Sequence, residues 1–199
     1  MDSKFKAHPW HGISIGEEAP ALVTAFIEIV PTDTVKYEID KASGYLKIDR
    51  PQKFSNLVPC LYGFIPQTYC DQNIAAHASV AKGDGDPLDI CVLCERTITH
   101  GDIILQAKPI GGFRLIDKGE ADDKIIAIMK GDVFFDQWND LNDIPEMIVN
   151  RLKHYFLTYK NMPGQPVQCV NTSVYGRDEA LEVIRLSQQD YLMKYGEIF

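Results

Sequence analysis

The chain has 199 residues, enough to bury a core without disulfide or metal staples, and one domain is expected. Its 28 acidic residues against 20 basic ones leave a formal charge of −8, which argues against a nucleic-acid or anionic-membrane surface because phosphate polyanions are repelled at long range. No apolar run reaches the roughly 18 to 20 residues that cross a bilayer. The opening MDSKFKAHPWHG lacks a signal-peptide core. Five cysteines, Cys60, Cys70, Cys91, Cys94 and Cys169, are an odd number that fits reduced thiols, so a cytoplasmic protein is expected.

In chain order, residues 1–20 are an N-terminal extension. From Ala21 to Asp49, β-branched and aromatic residues broken at PTD and KASG predict three strands in an antiparallel meander. Residues 66–83 form a long loop, and its part CDQNIAAHASVAKG, residues 70–83, is expected on the surface. In DICVLC, Cys91 and Cys94 sit three apart on a strand and so point to opposite faces, as buried thiols rather than a zinc or redox pair. Strands are expected at Ile103 to Lys108, Phe113 to Ile116 and Lys124 to Met129, with glycines marking the breaks. Further on, Ile148, Leu152, Tyr155 and Tyr159 recur at helical spacing. Asp143 and Glu146 resemble a capping pair, and MPG, residues 162–164, stops the helix. A second helix runs from about Asp178 to Tyr195.

The chemistry concentrates in KGDGDPLDICVL, where Asp84, Asp86 and Asp89 stand within six positions and run into an apolar strand. Acidic turns are often only solvated, but carboxylates fixed at the mouth of a buried strand repel one another unless cations neutralise them. Oxygen donors favour Mg²⁺, Mn²⁺ or Ca²⁺ over zinc. Asp84 and Asp86 share one face of an extended segment, so Asp89 joins them only if the chain bends near Gly85 and Pro87. An EF-hand fails because Leu88 and Asp89 occupy its fifth and sixth positions and strand follows. A second acidic cluster, Asp117 to Lys124, could face the first, and two carboxylate groups on one cleft make a multi-metal site suited to phosphoryl transfer to water. Donors for phosphate are available in Lys36, which shares a strand face with Glu38, in Arg50, and in Tyr159 and Lys160 at a helix end. No GxxxxGK[ST] loop occurs.

Taken in order, IEI, KYEID, DRP, PCLYG, DGDPLD, GEADDK and HYFLTYK resemble the family I soluble inorganic pyrophosphatases from about Thr24 to Tyr195. The resemblance implies an α+β fold, a small OB-like five-stranded antiparallel β-barrel with flanking C-terminal α-helices, in a single catalytic domain spanning residues 1–199. It implies hydrolysis of pyrophosphate, taken as its magnesium complex, by a metal-activated water with several Mg²⁺ ions. By position, Asp84, Asp89, Asp117 and Asp122 are implied as metal ligands, with Glu28 and Glu38 holding further metal or its waters. Asp86 is implied as general base. Lys36, Arg50, Lys124 and Lys160, with Tyr62 and Tyr159, are implied to grip the phosphates, and Tyr62, Arg50 and Lys36 to act with Asp86 in catalysis. Val58 stands where many members have tyrosine and Lys118 where many have a carboxylate; both are implied to tune the site, and the lost carboxylate at Lys118 implies a higher Mg²⁺ requirement. A homo-oligomer is implied, hexameric as in compact bacterial members or dimeric as in eukaryotic ones, whose longer insertion YGFIPQTY resembles. The competing readings are a metal-dependent hydrolase of another phosphoanhydride, a barrel that binds oligonucleotides or another partner without catalysis, and a structural metal-binding module. The charge of −8 and the retained Asp84, Asp86, Asp89, Asp117, Asp122 and Lys160 count against the barrel, and the module leaves the basic and tyrosine donors unexplained.

Overall fold

The computed structural model describes residues 6–53, 56–160, 164 and 169–196; Met162 and Pro163 of the expected helix stop lie outside them. Among the described residues the elements in order are β1 (Val23–Ile29), β2 (Val35–Ile39), β3 (Leu46–Pro51), β4 (Leu61–Phe64), α1 (Gln72–His77), β5 (Asp89–Leu93), β6 (Ile103–Asp117), β7 (Glu120–Ala121), β8 (Lys124–Met129), α2 (Glu146–Thr158), β9 (Cys169–Gly176) and α3 (Arg177–Tyr195).

β1 pairs with β4 and β6, β4 with β5, and β8 with both β5 and β6, so five strands close into a ring. The ring is not wholly antiparallel as expected: β5 and β8 run parallel, with Asp89 beside Lys124. Parallel neighbours need a long crossover, and β6 and β7 lie within it. Nor do the first three strands form one meander, since β2 and β3 make a separate two-stranded sheet.

Strand alternation sends Ile90 and Val92 of β5 into one apolar cluster with Ile125, Ala127 and, from α3, Val183 and Ile184. Cys91 and Leu93 join a second cluster with Ile126, Ile128 and, from α2, Leu152 and Phe156. Both faces are covered, which is why β5 and β8 are apolar after their first residues, Asp89 and Lys124. The cysteines follow: Cys91 is buried in the second cluster, while Cys94 packs partly buried against the first, and both are free thiols.

Gly119 marks the expected break after β6, but Gly111 and Gly112 do not break the strand. β6 runs 15 residues through Gly111 and Gly112, because what they provide is room. A Cβ on Gly111 would lie 2.5 Å from the Tyr175 carbonyl oxygen, and one on Gly112 would lie 2.4 Å from the Tyr175 ring. β9, which carries Tyr175 alongside β6, was not expected. The capping pair also falls one step earlier. Asp140 and Asp143 form a reciprocal capping box on a 3-10 turn, Leu141–Asp143, and α2 starts after Pro145 without a side-chain cap.

The expected surface loop at 70–83 contains α1, with Ile74 and Ala75 buried. Its cap comes from α3. The Asp190 carboxylate, 2% exposed, accepts from the backbone N–H groups of Asp71 at 2.9 Å, Asn73 at 3.0 Å and Ile74 at 3.2 Å. No local sequence pattern announces a cap supplied from 116 residues away. Replacing it leaves three donors without their acceptor, so Asp190→Ala is expected to destabilise the protein by about 3 kcal/mol. Denaturant melts check the size, and hydrogen exchange should quicken first at Asn73 and Ile74; unchanged exchange there would remove Asp190 as the cap of α1.

Candidate active site

The bend that the aspartates require is made at Gly85, whose φ of +73° is left-handed. Asp84 Oδ1 accepts from Asp86 N–H at 3.0 Å, folding the turn on itself. Two backbone bonds pin it to Cys70, from Cys70 N to Asp86 O at 2.9 Å and from Gly85 N to Cys70 O at 3.0 Å. Fully buried Leu88 then anchors the chain as Asp89 enters β5. The second acidic cluster is delivered by the β6–β7 hairpin, where Lys118 and Gly119 take φ of +53° and +86°, as a two-residue primed turn requires. That hairpin pairs Asp117 with Glu120, and a bridge from Gly83 to Ala121 joins the two clusters.

Lys124 lies between them. Its ammonium, on a residue 2% exposed, bonds both Asp89 Oδ2 and Asp122 Oδ1. Burial alone would depress this lysine, but Asp122 and Asp89 carry it well above the ordinary range. Burial likewise pushes Asp122 up, and Lys124 outweighs it and holds the carboxyl below its usual value. Tyr62, on β4, donates to Asp89 Oδ2 at 2.6 Å. The Lys160 ammonium, just past α2, donates to Asp117 Oδ2 at 2.6 Å and lies 5.2 Å from the centre of the Tyr159 ring. On the β2–β3 hairpin, Lys36 donates to Glu38 at 3.1 Å and to Asp49 at 2.9 Å, while Arg50 also binds Asp49. Glu28, on β1, accepts from Ile39 N–H at 2.6 Å.

All thirteen residues singled out in the sequence, from Glu28 to Lys160, line one cleft of about 790 Å³. Of the two family departures, Lys118 lines it too, whereas Val58 is buried in the apolar cluster beneath. The sequence reading missed Lys41, Lys47 and Lys53 on the same wall; Lys41 and Lys47 flank the β2–β3 turn, and only its tertiary placement brings them here.

The donor set fits hard divalent cations. Burial and then Asp122 raise Asp84 well above the carboxylate range. Burial, with Asp89 adding to it, takes Glu28 up to about 8. Asp117 Oδ1 is buried without a hydrogen bond. Asp86 Oδ1 has the Lys41 ammonium as ion-pair partner but no hydrogen bond of proper geometry. Among the described residues no three ligating side chains already converge on one point; Lys124 holds Asp89 and Asp122, and Lys160 holds Asp117. All the acids are oxygen donors, which suits Mg²⁺ or Mn²⁺ rather than zinc.

The family model for inorganic pyrophosphatase matches residues 25–192. The inorganic pyrophosphatase of Chlamydia caviae is 49% identical across 94% of this chain and 92% of that protein. The soluble inorganic pyrophosphatase of rice, Oryza sativa subsp. indica, is 37% identical across 93% and 79%. The crystal structure of inorganic pyrophosphatase from Thermus thermophilus superposes with a TM-score of 0.79 at 28% identity, covering 94% of this chain and 99% of that one.

Lys124→Met would leave Asp89 and Asp122 buried without their cation, so the metal-free protein is expected to lose about 3–5 kcal/mol. Calorimetry in EDTA measures this, and a divalent cation should restore part of the loss; an unchanged melting temperature would contradict the account. Glu28 gives a pH signature. Its folded value lies above its unfolded value of 4.5, so its contribution to stability is full below pH 4.5 and is lost as pH rises through about 8. The metal-free protein should therefore weaken over that window, and Glu28→Gln should flatten the slope in pH-dependent melts.

Proposed function

The chain belongs to the inorganic pyrophosphatase family, and on that premise we propose that this cleft hydrolyses pyrophosphate to two orthophosphates with Asp86 as general base. The Asp86 side chain is half exposed, so it can meet an incoming water. As the water oxygen bonds to one phosphorus, the bridging P–O bond breaks and the bridging oxygen leaves with the other phosphate. The water proton passes to the Asp86 carboxylate.

Asp84, Asp89, Asp117 and Asp122 are the proposed ligands of divalent metal, with Glu28 and Glu38 holding further metal or its waters, and Mg²⁺ is the ion proposed. When bound, such ions lower the pKa of water and neutralise phosphate charge. Lys36, Arg50, Lys124, Lys160, Tyr62 and Tyr159 bind the two phosphates, and Lys36, Arg50 and Tyr62 also stabilise the charge that grows on the leaving group. Lys36 and Lys160 are suited to this because Asp49 and Asp117 already hold their ammonium groups in place, so little freedom is lost on binding.

The observation that supports this reading most is the convergence of acids, bases and tyrosines from β1, β2, β3, β4, β5, β6, β8 and the end of α2 on one cleft. On the same reading the ring is an OB-like barrel, residues 1–199 are one catalytic domain, and the protein acts in the cytoplasm as a homo-oligomer on magnesium pyrophosphate, without nucleic acid or membrane.

Phosphate release from magnesium pyrophosphate tests it. Release should be rapid, abolished by EDTA, and reduced on the order of 100-fold or more in Asp86→Asn and Asp89→Asn. Folded wild-type protein that releases no phosphate with Mg²⁺, Mn²⁺ or Co²⁺ would refute it.

A further inference from the structure

Asp89 and Asp122 share Lys124, and Asp117 has Lys160, but Asp86 has a cation from outside the residues assigned above. The Lys41 ammonium pairs with Asp86 Oδ1 and donates to the Gly85 carbonyl at 3.3 Å. It therefore holds the aspartate at two points, one on the side chain and one on the backbone that carries it.

We propose that Lys41 is a positioning residue, which fixes the Asp86 carboxylate in the orientation from which it takes the water proton. The inference rests on the reading of Asp86 as general base. With Oδ1 engaged by Lys41, Oδ2 is the oxygen left to face water, and rotation of the carboxylate about its bond to Cβ is restrained.

The clamp is itself held. Lys41 sits in the β2–β3 turn, which Asp40 closes by accepting from Ser43 N at 3.0 Å and Ser43 Oγ at 2.6 Å, while Gly44 N donates to Asp40 O at 2.8 Å. Behind it the lysine ammonium lies 5.9 Å from the centre of the Trp10 ring, and the Lys41 carbonyl lies 3.2 Å from His8 Nε2. Trp10 is 2% exposed, and its indole N–H donates to Thr68 O at 2.8 Å. Thr68 in turn accepts from Leu88 N–H at 2.9 Å, on the strand approach just past Asp86. The catalytic turn and the lysine that grips it are thus referenced to the same buried point.

Both partners are about half exposed. An ion pair in such a setting adds little to stability, so removing it should alter orientation while leaving the fold intact.

The test is a double-mutant cycle on Lys41→Met and Asp86→Asn, with Lys41→Arg as the conservative variant, measured as steady-state hydrolysis of magnesium pyrophosphate alongside thermal melts. Lys41→Met is expected to lower kcat by about 10- to 100-fold while KM moves by less than about threefold and the melting temperature is retained. Lys41→Arg should recover most of the rate. In the Asp86→Asn background, Lys41→Met should cost nothing further, because the two act as one unit. The inference is overturned by a wild-type kcat in Lys41→Met, by an equal loss in both backgrounds, by a loss confined to KM, or by full recovery at raised Mg²⁺. Full activity in Asp86→Asn would instead overturn the general-base reading and the inference with it, whereas an inactive Asp86→Asn beside an unaffected Lys41→Met would overturn the inference alone.

Discussion

The arrangement depends on a buried lysine between two carboxylates. Acids crowded at the end of a β-sheet ring repel one another and resist burial, and Lys124, in the first position of β8, supplies the compensating charge from within the fold. Its position follows from strand pairing: the β5–β8 register sets Asp89 beside Lys124, and two residues upstream Asp122 leaves the β6–β7 hairpin. The cleft is therefore electrostatically assembled by backbone geometry before any ion or substrate arrives. Its remaining cations sit at the rim, on and just past the β2–β3 hairpin, in the β6–β7 turn and past α2, where phosphate can reach them.

Much of this is legible in the sequence wherever chemistry and local pattern coincide. The Asp-Gly-Asp-Pro-Leu-Asp run announces a sharp turn entering a buried strand, and the turn forms at Gly85. Strands β1, β2, β3 and β8 and helix α3 fall within a few residues of their expected spans, because period and turn residues are local properties. The features that escaped are those decided at a distance. Gly111 and Gly112 look like strand breaks until Tyr175 is laid against them. α1 looks like loop because its cap, Asp190, is contributed by α3. A parallel pair inside an otherwise antiparallel ring leaves no mark on either strand, since a strand buried on both faces is apolar whichever way its neighbour runs.

The same division applies within the cleft. Carboxylates and tyrosines with a chemical motif around them are identifiable, whereas Lys41, Lys47 and Lys53 are ordinary surface lysines until the β2–β3 hairpin folds over the aspartate turn. The N-terminal segment is similar: nothing local distinguishes Trp10 from a solvent-exposed tryptophan, yet it packs with Phe26, Ile39, Phe64 and Tyr191 and backs the lysine nearest Asp86.

The parallel β5–β8 pairing also bears on how the protein reaches its active form. Strands joined by short turns can zip together early, but these two are separated by the whole of β6 and β7, and contacts this remote in sequence wait on loop closure. Asp89 and Lys124, 35 positions apart, meet only when that loop has closed, while β1 reaches β6 across a longer stretch still, with Val23 paired to Ala107, so the ring needs both closures. Recovery of a competent cleft during refolding is therefore tied to long-range loop closure rather than to local hairpins, and a chain with its hairpins formed but β5 and β8 still unpaired holds Asp89 and Lys124 apart.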